Sequence, residues 1–223
     1  MNSRLHRVVI TDFINDDLEV EKEVLAGIAT VEALDAGHER ELAGAIETAD
    51  AVMMYHNLSI SAGTVDRLEQ CQVIVRCGVG FDNVDHPRAR LHGIPVVNVP
   101  DYGTEEVADS AIGMTLALTR GIHQYNLALL NPGDPQPAPS WSYQIAQPLR
   151  RLRGRVFGIV GLGRIGTATA RRAQALGMDV RFFDPLIADG YDKAVGVRRM
   201  ESLEALLRET FVVSMHCPLT EQT

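Results

Sequence analysis

Residues Val156 to Gly166 read Val-Phe-Gly-Ile-Val-Gly-Leu-Gly-Arg-Ile-Gly, an apolar run that breaks into Gly161, Gly163 and Gly166 and then turns helical. Each glycine has a mechanical task in a strand-to-helix turn. Gly161 permits the tight bend, Gly163 lets an anionic group approach bare backbone, and Gly166 lets the helix pack closely on the strand. The free amides at the helix start, with the positive end of its dipole, suit a pyrophosphate without help from a lysine. A three-glycine match alone is weak evidence, but here an acid follows at about the 20-residue distance such a site needs. It is Asp184, at the end of the next apolar run, Val180 to Phe183. Its carboxylate suits the ribose hydroxyls of a dinucleotide and disfavours the extra phosphate of NADP, so the expected cofactor is NAD. Asp184 also precedes Pro185, which leaves a turn-starting role open, and Arg164 fits a solvated helix start equally well.

The elements that must position these residues alternate along the chain. Val8 to Thr11 precedes a helical stretch Leu18 to Ala26; Ala51 to Tyr55 precedes Ser61 to Glu69; Val73 to Arg76 precedes Pro87 to His92; Pro95 to Val99 closes the series. Such alternation predicts an α/β unit with a parallel sheet. One long helix is expected from Glu105 to about Leu130, capped by Thr104 and aided by Glu105 and Glu106 at its positive end. The proline-rich stretch Asn131 to Pro139 cannot continue it and reads as a surface loop. The domain boundary is placed before the helix, near Pro100 to Gly103. Past Val156 the sequence shows four strands at most, including a short one at Val197 to Met200 and a last one at Phe211 to Met215. That last strand leads into His216-Cys217-Pro218, and a loop beyond a strand's carboxyl end should border the cofactor crevice.

Bulk properties narrow the partners. The 223 residues are 46% hydrophobic and 22% charged, with a net charge of −8, which argues against nucleic acid and anionic membranes and favours a small-molecule partner. Cys71, Cys77 and Cys217 form no CxxC pair, so neither a disulfide framework nor a metal site is expected and a cytoplasmic setting is. No run of 18 apolar residues occurs, and no membrane span is expected.

Several ordered segments together resemble the D-isomer-specific 2-hydroxyacid dehydrogenase family, and within it the C-terminal binding protein-like branch of corepressors. They are Val52-Met-Met-Tyr-His56, Val75-Arg76-Cys-Gly78-Val79-Gly80-Phe-Asp-Asn-Val-Asp85, Val99 to Asp109, the glycine motif, and Phe183-Asp184-Pro185. The resemblance implies a flavodoxin-like substrate domain over residues 1–102. It implies a partial NAD-binding Rossmann domain, a doubly wound parallel sheet, over residues 103–223, and a homodimer through the long helix 104–130. His56, Arg76, Gly78, Val79 and Gly80 would face the substrate, a 2-hydroxy or 2-oxo acid. Val79, Gly161, Gly163, Arg164, Ile165, Gly166, Asp184, Cys217 and Thr223 would contact the cofactor. Val79 stands where the corepressor branch carries serine, so a side-chain hydrogen bond is lost there. By residue type alone His56 is equally a surface or core histidine, Arg76 a structural ion-pair partner, Gly78 to Gly80 a flexible turn, and Cys217 a small apolar contact.

The chemistry implied is interconversion of a 2-hydroxy acid and a 2-oxo acid. It needs a hydride carrier, a cation for the substrate carboxylate and an acid/base at the reacting oxygen. In the family an arginine, a glutamate and a histidine from later motifs do this work. Catalytic residues are therefore expected beyond Thr223, and the sequence reads as truncated, lacking also the segment that returns to the first domain. The alternative is a dinucleotide-sensing, dimerising interaction protein of the corepressor kind; a formate- or phosphite-type dehydrogenase is a third, minor reading.

Overall fold

The β-branched run at Val8 to Thr11 lies inside the first strand, β1 (His6–Asp12), whose last five residues are buried. The computed structural model describes residues 4–12, 14, 16–131, 142–146, 148–220 and 223. Its contacts divide the chain into two units, Met1–Tyr102 with Leu219–Thr223, and Gly103–Pro218.

In the first unit β1 is followed by α1 (Glu19–Val24), β2 (Ala29–Ala36), a 3-10 turn (Glu39–Leu42), β3 (Ala51–Met54), α2 (Ala62–Val65), β4 (Val73–Arg76), α3 (His86–Leu91) and β5 (Val96–Asn98). All strands pair in parallel, in the order β2-β1-β3-β4-β5. This is the flavodoxin-like doubly wound order, which places a topological switch point between β1 and β3. Val9, Leu42, Ile46, Val52, Met54, Ile60, Val65 and Ile74 form the core. Strand β2 is absent from the sequence reading for a physical reason. As an edge strand it alternates half-buried Ala29 and Val31 with exposed Thr30 and Glu32, so it shows no apolar run.

The second unit opens with α4 (Thr104–Arg120) and α5 (Ile122–Leu130), then β6 (Val156–Val160), α6 (Arg164–Ala175), β7 (Asp179–Phe183), α7 (Tyr191–Val195), β8 (Arg198–Arg199), α8 (Leu203–Glu209) and β9 (Val212–Met215). The parallel sheet runs β8-β7-β6-β9, the 3-2-1-4 part of the Rossmann order, with its switch point between β6 and β9. Phe157, Ile159, Leu162, Ala170, Ala173, Val180 and Phe182 fill its core.

The structure departs from two expectations. The single helix from Glu105 to Leu130 is two helices, because Gly121 adopts φ +65° between them. A Cβ at Gly121 would collide with the side chain of Ala146, so glycine is required at this left-handed position. Thr104 is not the cap: Gly103 occupies that position, Val107 N–H bonds its carbonyl at 3.0 Å, and the buried Thr104 hydroxyl has no partner. The helices α7 and α8, of five and seven residues, are too short for the sequence pattern to mark; α8 is capped by Ser202, whose hydroxyl accepts from Ala205 N–H at 3.1 Å. The proline-rich stretch falls mainly on residues 132–140, outside the described residues.

Candidate functional site

The turn after β6 has the geometry its glycines require. Gly161 sits at φ +90°, and a Cβ there would come within 2.7 Å of the backbone nitrogen of Cys217. A Cβ on Gly166 would collide with the carbonyl oxygen of Gly161, whereas one on Gly163 would meet nothing within 4 Å. Gly161 and Gly166 are thus demanded by the fold, while Gly163 opens onto free space at the helix start. No side chain caps α6, so the amides of its first turn remain available to an anion. Arg164 is exposed beside Gly163, and Ile165 is half-buried.

Asp184 follows β7 and is half-buried. Its Oδ2 accepts from Leu162 N–H at 2.8 Å, inside the glycine turn, and its Oδ1 accepts from Leu186 N–H at 2.9 Å. Asp184 is therefore both the turn residue and the carboxylate tied to the glycine loop; the two readings coexist. A carboxylate has about four acceptor directions, so capacity remains for two hydroxyl donors. Opposite, at the end of β9, His216 N–H bonds Val160 carbonyl at 2.8 Å and packs the Cys217 backbone against Gly161. Burial pulls the His216 imidazole below its usual 6.5, and its Nε2 lies 2.9 Å from Ser214 Oγ. Thr223 falls with the first unit, where its N–H bonds Thr220 carbonyl at 3.2 Å.

In the first unit Arg76 ends β4 at only 7% exposure. Its Nε and Nη1 have no hydrogen-bond partner, and no carboxylate among the described residues lies within ion-pair distance. The structural ion pair is thereby set aside. A Cβ on Gly78 would collide with this guanidinium, so Gly78 makes the space that Arg76 fills. Val79 is half-buried, its carbonyl accepting from Asn98 Nδ2 at 2.7 Å, and Gly80 is exposed. His56 is exposed on the loop after β3. A buried guanidinium with unpartnered nitrogens beside a glycine loop at the carboxyl end of a parallel sheet has the charge and geometry to suit a carboxylate.

Two residues that shape this site escaped the sequence reading. Buried Asp12, at the end of β1, accepts from the amides of Tyr55 at 2.9 Å, Asn57 at 2.8 Å and Leu58 at 3.2 Å, clamping the loop that carries His56. Asn83 Nδ2 closes the same loop from the other side, donating to the carbonyls of Tyr55 and Leu58 at 3.0 and 2.8 Å. An acid ending an apolar strand was the available signal for Asp12; nothing local marks Asn83. Burial pushes the Tyr55 phenol up to about 12 and raises the Cys77 thiol, so neither is a nucleophile at neutral pH.

A family model described as D-isomer specific 2-hydroxyacid dehydrogenase, catalytic domain, matches residues 8–213. The chain belongs to this family. It is 32% identical over 212 residues to C-terminal-binding protein 1 of Caenorhabditis elegans, covering 93% of this chain and 28% of that protein. It is 30% identical over 217 residues to D-3-phosphoglycerate dehydrogenase of Methanocaldococcus jannaschii, covering 97% and 39%. The chain therefore spans well under half the length of these two relatives. Among solved structures, D-lactate dehydrogenase of Escherichia coli superposes with a TM-score of 0.74 at 28% identity, covering 97% of this chain and 66% of that one. The family's α/β architecture of parallel sheets is the one built here.

Proposed function

We propose that this 2-hydroxyacid dehydrogenase family member is an NAD-dependent oxidoreductase that interconverts a D-2-hydroxy acid and a 2-oxo acid. The observation that carries the reading is the Asp184 carboxylate, fixed by Leu162 N–H at 2.8 Å beside the open Gly163 turn. These residues fit the adenosine and pyrophosphate parts of a dinucleotide: Asp184 would receive the ribose hydroxyls, and Gly163, Arg164 and Ile165 would receive the phosphates. The nicotinamide, when bound, would carry the hydride. Arg76 would hold the substrate carboxylate with a charge-assisted bond pair, and the amides of Gly78 to Gly80 would complete its anion receptor. Its three free cysteines support a reducing, cytoplasmic setting.

Calorimetry with NADH and NADPH tests the cofactor. NADH is expected to bind more tightly than NADPH, and Asp184→Ala to weaken NADH at least about tenfold, since a hydrogen bond to a charged group contributes about 1.5–3 kcal/mol. No heat from either nucleotide on folded protein sinks the reading. For the reaction, the native gene product should consume NADH absorbance with members of a panel of 2-oxo acids. NADH binding without turnover across the panel would favour a second reading, a dinucleotide-sensing interaction protein. That alternative draws on the 32% identity with C-terminal-binding protein 1 and on the apolar residues exposed along α4 and α5, which suit a dimer.

A further inference from the structure

The loop that presents Asp184 is held by a residue the glycine fingerprint does not contain. Strand β8 is only two residues long and pairs with β7 in the register Arg181↔Arg198 and Phe182↔Arg199. Arg199 therefore lies beside Phe182, its guanidinium carbon 5.2 Å from the ring centroid, a cation-π distance. From there the fork reaches forward over the loop that follows β7. Its Nη2 donates to the carbonyls of Ile187 at 2.9 Å and Ala188 at 3.0 Å, and its Nη1 approaches the Asp184 carbonyl at 3.4 Å. One side chain so engages three carbonyls of the five-residue segment 184–188.

We propose that Arg199 is a positioning residue for the adenosine ribose: by binding the backbone on both sides of Asp184's turn it fixes the direction of that carboxylate. The inference rests on the NAD reading above and assigns the affinity of that same site to a second residue. Loop backbone must find partners, and here the partner is a rigid planar fork anchored on a fully buried ring. Without it the segment keeps the Leu162 and Leu186 amides on the Asp184 carboxylate but loses its bonds to the Arg199 guanidinium. The binding geometry is then populated a smaller fraction of the time, and a site populated a fraction of the time binds more weakly by that fraction. Lysine is a poor replacement, because a point charge on a flexible stem cannot span three carbonyls and stack at once.

The test is a double-mutant cycle read by calorimetry with NADH and ADP-ribose on wild type, Arg199→Met, Asp184→Ala and the double variant, with thermal melts and backbone amide exchange alongside. Methionine keeps an apolar stem on Phe182. Arg199→Met is expected to weaken ADP-ribose about tenfold and to speed exchange at Leu162 and Leu186, the two amides bonded to Asp184. In the Asp184→Ala background the same change is expected to cost nothing further. Arg199→Lys should fall between wild type and Arg199→Met, and it serves as the probe should Arg199→Met not fold. Losses that add in the cycle, or unchanged ADP-ribose affinity in folded Arg199→Met, would overturn the role of Arg199 while leaving the NAD reading intact. If wild type binds neither nucleotide, the NAD reading falls and the ribose role of Arg199 falls with it.

Discussion

Arg76 illustrates how a single residue can be costly to the fold and still suit the proposed site. A buried polar group without a partner costs about 1–3 kcal/mol, more when charged, and Arg76 leaves two nitrogens unsatisfied at 7% exposure. Arg76→Met should therefore leave the melting temperature unchanged or raise it while abolishing the effect of 2-oxo acids on the protein; thermal melts with and without the acid measure both. A large loss of stability in this variant would mean that the guanidinium is structural. His216 gives a residue-scale pH dependence. Burial favours its neutral form, so the folded value lies below 6.5 and the unfolded chain binds the proton first. Stability is then full above about 6.5 and falls as pH drops through the folded value. Replacing His216 by Asn should flatten that part of the melting-temperature profile as pH falls below about 6.5. A parallel profile in the variant would assign the acid sensitivity elsewhere. Of these features, the sequence shows that Arg76 ends an apolar strand, yet whether a carboxylate answers it is a question about residues distant along the chain.

At the scale of elements, the three glycines after β6 separate into two that the fold demands and one that it leaves free, which the proposed function assigns to the phosphates. A Cβ on Gly166 meets the Gly161 carbonyl, and one on Gly161 meets Cys217, whereas one on Gly163 meets open space at an ordinary φ of −72°. Gly163→Ala should thus melt like wild type yet bind NADH more weakly, while Gly166→Ala should lower the melting temperature by several degrees. Equal melting losses in both variants would contradict the assignment. The strand–turn–helix around these glycines was legible because periodicity, glycine spacing and the acid after β7 all agree locally. The break at Gly121 was less legible. Arg120 and Gly121 do form a helix stop signal, but the apolar pattern resumes at once in Ile122 to Leu130, and the packing of Ala146 against the glycine decides the matter.

For the molecule as a whole, α4 and α5 expose Met114 at 62%, Leu118 at 74%, Leu127 at 57% and Leu130 at 68%. Exposed apolar residues along two consecutive helices suit the association surface that the proposed homodimer needs. In the proposed homodimer Met114→Glu with Leu118→Glu should shift sedimentation toward monomer without changing the helical signal by circular dichroism; unchanged sedimentation of a dimeric wild type would place the interface elsewhere. The net charge of −8 remains consistent with a small-molecule partner and does not bear on the fold.

The sequence by itself determined the α/β class, the glycine turn, the acid paired with it and the family, because each is written in patterns a few residues to about 20 residues long. The tertiary structure alone decided that Asp12 and Asn83 clamp the His56 loop, that no carboxylate among the described residues answers Arg76, and that Arg199 braces the turn of Asp184. Those facts depend on which side chains from separate strands arrive at one place, and hydrogen bonds across the sheet ends follow strand order and register, which no local pattern records.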